Sequence, residues 1–343
     1  MLSLAKNAPQ PDKDFASCSG CGLCLLVCPV WRRTHDLALT PLGRAKALQH
    51  GANAADIAVS VQSCTLCAAC EPVCPEDIGL VEMTLDLRRR LPQPEGEQAR
   101  MQEQTARPPA PQPAATAVLI PGTALRERPV TLARAQALLA RTGKLALADD
   151  DGADIALALE AGMPVPKQRL ERFLQPLRRA RKIIVADGLL LRNARQWLPR
   201  AELVSLGVAL SGLTTVRRAL GASDLYVIEP RAYHADYQRL VKYYDGLRAA
   251  SGCTFNLDLQ RIAIPAAAPT LPQKFGLEAA AGGDDGVQAR WILQGRNVTR
   301  IVLECMEDAA AFNSVSGLPV VHLADLADDG NRRNNDSRND NQA

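Results

Sequence analysis

Short apolar runs alternate with longer stretches of helical period through the last two thirds of this chain. Ala117-Val118-Leu119-Ile120 is the first such run, and Pro121-Gly122 closes it, which predicts a buried strand entering a turn. A helix is expected over residues 131–142, with leucines at 132, 138 and 139, then a strand over 144–148. Helices over 154–161 and 166–179, a strand over 182–186 and a helix over 190–197 follow. A second series runs strand 225–228, helix 234–250, strand 261–264, helix 286–295, and strands 300–304 and 319–322. Strands alternating with helices build mainly parallel sheets covered on both faces. Two series therefore predict an α/β C-terminal region, residues 117–330, of two similar lobes at about 117–220 and 221–330.

The first 90 residues follow a different pattern. Alanine and leucine dominate two short helical stretches at 41–48 and 54–61, the first with Thr40 as N-cap and Pro41 at the first helical position. A closing helix is expected over 77–90, with Ile78, Leu80, Val81, Met83, Leu85 and Leu87 on its apolar positions. β-Branched alternation is absent, so residues 1–90 read as an α-helical domain. Arg88-Arg89-Arg90 reads as the solvated last turn of that helix. Pro92, Pro94, Pro108, Pro109, Pro111 and Pro113 mark residues 91–116 as a linker that lets the N-terminal domain swing or reach. Residues 331–343 are polar without an apolar pattern and read as a disordered tail.

Composition narrows the function classes. A chain of 343 residues exceeds the usual size of one core. Aromatic residues make up 4% of it, and the formal charge of +3 comes from interspersed signs, which argues against nucleic acid as a partner. No apolar run approaches the roughly 18 residues that span a bilayer, leaving only peripheral docking on a membrane partner. The opening residues after Met1 lack the apolar region of a secretory signal, so a cytoplasmic, reducing location with free thiolates is expected.

Those thiols carry the strongest signal. Eight of the ten cysteines stand in two copies of one spacing, Cys18-x2-Cys21-x2-Cys24-x3-Cys28-Pro29 and Cys64-x2-Cys67-x2-Cys70-x3-Cys74-Pro75. Zinc usually takes its four ligands as two separated Cys-x-x-Cys pairs, whereas a run of three cysteines with a fourth before proline is the spacing of [4Fe-4S] ligation. In two-cluster proteins of this spacing the fourth cysteine serves the other cluster. Cys18, Cys21, Cys24 and Cys74 are accordingly assigned to cluster 1, and Cys64, Cys67, Cys70 and Cys28 to cluster 2. Small residues beside the ligands, Ser19, Gly20, Gly22, Ala68 and Ala69, leave room for backbone amides to approach cluster sulfur.

Both cysteine runs, the Thr40-Pro41-Leu42-Gly43-Arg44 segment between them and the two α/β series resemble one family. It includes the cluster-bearing component of heterodisulfide reductase and the iron-sulfur components of glycolate oxidase and of anaerobic glycerol-3-phosphate dehydrogenase. The resemblance implies lobes that each carry a cysteine-rich CCG motif, but here the frame stands without its ligands. Thr123 follows Pro121-Gly122, Asp150-Asp151-Gly152 stands for Cys-Cys-Gly, and Asp187-Gly188-Leu189-Leu190 stands for Cys-x-x-Cys. In the second lobe Glu229-Pro230-Arg231-Ala232-Tyr233-His234 resembles a segment that has lost its cysteine, and Gly282-Gly283-Asp284-Asp285-Gly286 replaces a cysteine-glycine loop. Cys305 alone keeps a motif position, with Asp308 where its partner would stand.

The resemblance implies a heterodisulfide-reductase-like, iron-sulfur electron-transfer subunit of a multi-protein oxidoreductase. It would relay single electrons between a flavoprotein or CCG-type cysteine-cluster partner and another carrier. Two other readings remain open: a disulfide or thiol reductase using Cys253 or Cys305, which could pair in space, and a scaffold whose clusters are structural. Asp149-Asp150-Asp151 is expected to stabilise a helix N-terminus, and His234 to cap a helix or lie at the surface.

Overall fold

Residue alternation within each strand decides which of two cores a side chain enters. The computed structural model describes residues 13–92, 103, 105–106, 115–258, 260–275, 284 and 286–327. Strands β1 (Ala117–Ile120), β2 (Leu145–Leu147), β3 (Lys182–Val185) and β4 (Glu202–Ser205) form one sheet in the order β2-β1-β3-β4. Strands β5 (Asp224–Val227), β6 (Thr254–Phe255), β7 (Arg300–Leu303) and β8 (Val320–His322) form the other, in the order β6-β5-β7-β8. Every pairing is parallel, and the two orders are the same.

Leu119 and Ile184 of the first sheet meet Tyr226 and Val302 of the second in one shared core, with Leu138, Leu206, Tyr233 and Tyr244 between them. Their neighbours point the other way. Val118, Ile120, Ile183 and Val185 pack under Phe173 and Leu177, while Leu225, Val227, Ile301 and Leu303 pack under Ile292 and Phe312. The two lobes are therefore joined by burial of a whole sheet face each, a hydrophobic constraint far stronger than any surface ion pair.

Several expected elements shift. Residues 261–264 are not a strand; they make only an isolated antiparallel bridge, Leu257 to Ala263, and the strand of that region is β6. The Asp258 carboxylate accepts the N–H groups of Gln260 and Ile262, and Arg261 takes φ 64°, so the chain folds back before it can extend. β4 follows Pro199-Arg200 and is too short for its apolar pair, Leu203 and Val204, to stand out in the sequence. The helix expected from residue 234 is two helices, Pro230–His234 and Tyr237–Ser251, the first capped by the Glu229 carboxylate accepting from the Arg231 and Ala232 N–H groups.

The N-terminal domain is helical, with helices Leu23–Val27, Pro29–Thr34, Pro41–Gln49, Ala58–Ser63 and Leu80–Arg89. Thr40 caps the third as expected, its Oγ1 accepting the Gly43 N–H at 3.1 Å. The fourth starts only at Ala58, because Asn53 and Asp56 bind each other's backbone in a turn. The fifth starts at Leu80, after Asp77 in the left-handed region.

This domain is seated on both lobes. Arg88 is 1% exposed and donates to the carbonyls of Val61, Cys64 and, at 2.6 Å, Glu160. The expected solvated arginine is thus a buried cross-link, possible because backbone carbonyls replace its water. Arg192 pairs with both oxygens of Glu71, and Arg32 stacks 3.8 Å over Trp291 while donating to Gln288. Contacts this buried hold the domain in place and correct the expectation of a swinging arm. Most of the linker, the 331–343 tail and Gly282, Gly283 and Asp285 lie outside the described residues.

Gly207 tests the join between lobes, because a Cβ there would overlap the Glu304 carboxylate. Gly207→Ala is expected to lower stability by about 1–3 kcal/mol, the usual cost of overpacking. Anaerobic thermal unfolding reads it, and an unchanged midpoint contradicts the packing described.

Candidate metal centre

Each cysteine run is built on turns that only unusual backbone can make. Gly20 and Gly22, at φ 84° and 77°, flank Cys21; Leu66 and Ala68, at φ 52° and 60°, flank Cys67 at the same offsets in the second run. In the second run the Leu66 N–H faces the Cys64 sulfur and the Ala69 N–H faces that of Cys67. A non-glycine residue at such a φ costs roughly 1–2 kcal/mol, which the packing of Leu66, 2% exposed, helps to offset.

The eight thiols sort into two quartets. Cys18, Cys21, Cys24 and Cys74 line one pocket with Leu42 and Ile78; Cys28, Cys64, Cys67 and Cys70 line the other with Arg44, Leu66 and Ala68. Pro41 and Leu80 form a wall common to both. The fourth cysteine of each run thus lies with the first three of the other. Among the described residues no three ligand-type side chains converge closely enough for a single metal ion.

The surroundings fit a thiolate-held group. Burial pushes the thiols of Cys24 and Cys28 up to about 11 and that of Cys67 up to about 12, against backbone N–H groups of Leu42, of Trp31 and Val30, and of Ala69 that favour the thiolate. Cys64 is pulled below its ordinary value despite burial, because the Arg44 and Arg88 guanidinium groups stand beside it. Arg44, 1% exposed, donates to the carbonyls of Leu39 and Ser60 but keeps Nε buried without a partner. An orphaned donor in a cysteine-lined pocket is what a sulfur acceptor would satisfy. The first quartet opens outward at Cys21, which is exposed, whereas Cys28 and Cys67 are buried.

Above the second quartet lies a cleft of about 800 Å³ at the carboxyl ends of β1, β3, β5 and β7, the place where open α/β sheets hold ligands. The positions at which the resemblance implies cysteines meet here: Thr123, Asp151, Asp187, Arg231 and Cys305 all line it, and Thr65 and Cys67 form part of its wall. Carboxylates fill the space. Burial drives Glu229 up to about 8 and Asp308 up to about 7, while Glu304 is raised even though it accepts from the hydroxyls of Tyr226 and Tyr244.

The surroundings of Cys305 disfavour its thiolate. Burial first, then Glu307, Asp308 and Glu229, push its thiol well above its ordinary value, and only the thiolate attacks. Cys253 precedes β6 while Cys305 follows β7, and both strands run parallel to β5, so the two thiols stand at opposite ends of the sheet and cannot pair. His234 is buried rather than at the surface. Its Nε2 accepts the Ala263 N–H and its Nδ1–H donates to the Cys67 carbonyl at 2.7 Å, which fixes the second ligand loop. Asp150 and Asp151 do accept the Gly152 and Ala153 N–H groups at the helix start, and they also bind Arg169 and Arg126, partners no spacing in the sequence announces. His50 is exposed and His35 ends a helix; His322 bridges Glu304 and Ala324 by backbone bonds.

Residues 14–78 match the family model of a 4Fe-4S dicluster domain. No curated protein and no solved structure matches the chain. Fold and site together define an iron-sulfur protein whose 4Fe-4S domain sits on an α/β body. No helix among the described residues is long and apolar enough to cross a membrane.

The buried Asp308 gives the cleft a pH signature. Its folded value of about 7 lies above the ordinary carboxylate value of 3.8, so stability is highest below the latter and falls as pH rises toward the former. Asp308→Asn, which keeps the acceptor for the Ala267 N–H, is expected to flatten the stability profile between those pH values. The slope removed is at most about 1.4 kcal/mol per pH unit. Denaturant titrations of both proteins across that range read the difference, and parallel profiles contradict it.

Proposed function

We propose that this chain is the electron-transfer subunit of a multi-protein oxidoreductase, heterodisulfide-reductase-like in design, with two [4Fe-4S] clusters. Cluster 1 would be held by Cys18, Cys21, Cys24 and Cys74, and cluster 2 by Cys64, Cys67, Cys70 and Cys28. The observation that carries the reading is the sorting of eight cysteines into two quartets across a common wall of Pro41 and Leu80. Bound there, each cluster accepts and releases one electron.

The protein's own residues supply the rest. Pro41, Leu80 and the apolar helices keep water from the inner quartet, the left-handed turns of the second run present amides to sulfur, and Cys21 leaves one edge open to a partner. A flavoprotein or CCG-type protein is the proposed partner at one end of the relay, in the cytoplasm. The cleft argues against small anionic substrates here. Among its described lining residues, carboxylates such as Asp187, Glu307 and Asp308 outnumber the cations Arg231 and Lys274. A reductase reading centred on Cys305 has that cleft in its favour and the suppressed thiolate against it.

Anaerobically reconstituted protein is expected to bind about eight iron atoms per chain, and Cys74→Ser about four if it loses cluster 1 alone. Iron and acid-labile sulfide analysis checks this; loss of the cluster that contains Cys70, with the other intact, contradicts the quartets. Cys305→Ser is expected to leave turnover of the purified complex unchanged, and a loss of tenfold or more would restore the reductase reading.

A further inference from the structure

We propose that Arg44 and Arg88 raise the reduction potential of cluster 2 above that of cluster 1, so that an electron entering at the exposed edge settles beside the cleft. The inference rests on the two-cluster reading above and assigns a direction to the relay. The step is the transfer of one electron from reduced cluster 1 to oxidised cluster 2; no bond forms or breaks and no proton moves.

The charge around the two quartets is unequal. Arg44 lines the second pocket, and Arg88 donates to the carbonyl of Cys64. Arg192 reaches Glu71, the residue next to Cys70, and Arg231 donates to the carbonyl of Thr65 at 2.7 Å, next to Cys64. Four guanidinium groups therefore surround this quartet. Paired with them are the carboxylates of Glu71, held by Arg192, and Glu160, held by Arg231 and Lys274. These named groups sum to a positive charge beside the inner quartet, with Arg44 on the pocket wall itself and Arg88 at the carbonyl of Cys64.

Among the described residues, the first quartet has no arginine on its pocket wall. The cations beside it are Lys46, half-buried, whose ammonium donates to the Cys18 carbonyl and to Gln49, and the exposed Lys13, which donates to the carbonyl of Glu76 on the pocket wall. Reduction adds one negative charge. Burial alone would resist that charge at cluster 2, but fully buried cations act at lower effective dielectric than the half-buried and exposed lysines of the first quartet. The unpartnered Arg44 Nε supplies a further hydrogen-bond donor, and donors to cluster sulfur favour the reduced form.

The test is a paramagnetic-resonance-monitored redox titration of the full-length, anaerobically reconstituted protein. The wild type is expected to show two one-electron couples. With ¹⁵N-labelled arginine, the cluster reduced first is expected to show ¹⁵N hyperfine coupling from Arg44. In Arg44→Met the reduced-to-oxidised ratio of that cluster at fixed potential is expected to fall about tenfold, about 59 mV for a one-electron couple. Arg44→Lys should recover part of the shift, and the second couple should stay in place.

A first-reduced cluster without ¹⁵N coupling overturns the ordering, as does a variant that moves only the lower couple, both couples equally, or neither. If Arg44→Met fails to retain iron, the labelled wild type decides alone. A wild type with a single couple integrating to one spin per chain overturns the two-cluster reading and the ordering with it, whereas a single couple of two spins, or two couples with an unmoved first midpoint, overturns the ordering only.

Discussion

Glu160 ties the three parts of the molecule together. Its carboxylate accepts from both terminal nitrogens of Arg231 and from Lys274 in the second lobe, its carbonyl accepts from Arg88 of the cluster domain, and it belongs itself to the first lobe. It is 3% exposed, and although burial opposes its charge, Arg231 and Lys274 hold its carboxyl down to about 2. Removing one partner of such a group would strand a buried charge, which costs about 3–5 kcal/mol. The same Arg231 then reaches the Thr65 carbonyl, one residue from Cys64. Cluster loop, first lobe and second lobe therefore share one electrostatic knot.

That knot explains why a body without the expected cysteines keeps its shape. The sheet-end positions still converge on a cleft, but their side chains now cap helices and bind arginines: Asp187 accepts the Leu190 N–H, Glu229 caps the helix from Pro230, and Asp151 holds Arg126. Close approach replaces metal bridging. Gly188 has the Glu229 carboxylate and the Ala232 amide against it, so the lobes meet where a side chain would part them. At an effective dielectric of about 20, a unit charge about 4 Å away is worth about 4 kcal/mol. On that scale, fixed arginines beside the inner quartet would favour an electron placed there.

The grouping of the two cysteine runs was legible because cluster ligation dictates spacing, and spacing survives in a one-dimensional string. Strand-helix alternation was legible for β1, β3, β5 and β7, whose apolar runs are buried on both sides. β4 was not, since Glu202 and Ser205 dilute its run, and 261–264 read as a strand because Ile262, Ala263 and Ile264 are buried without being paired in a sheet. Arg88 was misread for a physical reason: three consecutive arginines look solvated, and the carbonyls that bury the first of them come from residues 61, 64 and 160. His234 and Arg44 were missed likewise, because their partners are backbone atoms, which carry no sequence signal.

Two quartets that share Pro41 and Leu80 would place two bound clusters as immediate neighbours, and neighbouring paramagnets would interact. The most direct test is the low-temperature paramagnetic resonance spectrum of the fully reduced protein, integrated against its iron content. A spectrum broadened by spin-spin interaction and integrating to about two spins per chain is predicted for two [4Fe-4S] clusters. A sharp, uncoupled signal integrating to about one spin, at full iron loading, would contradict the account.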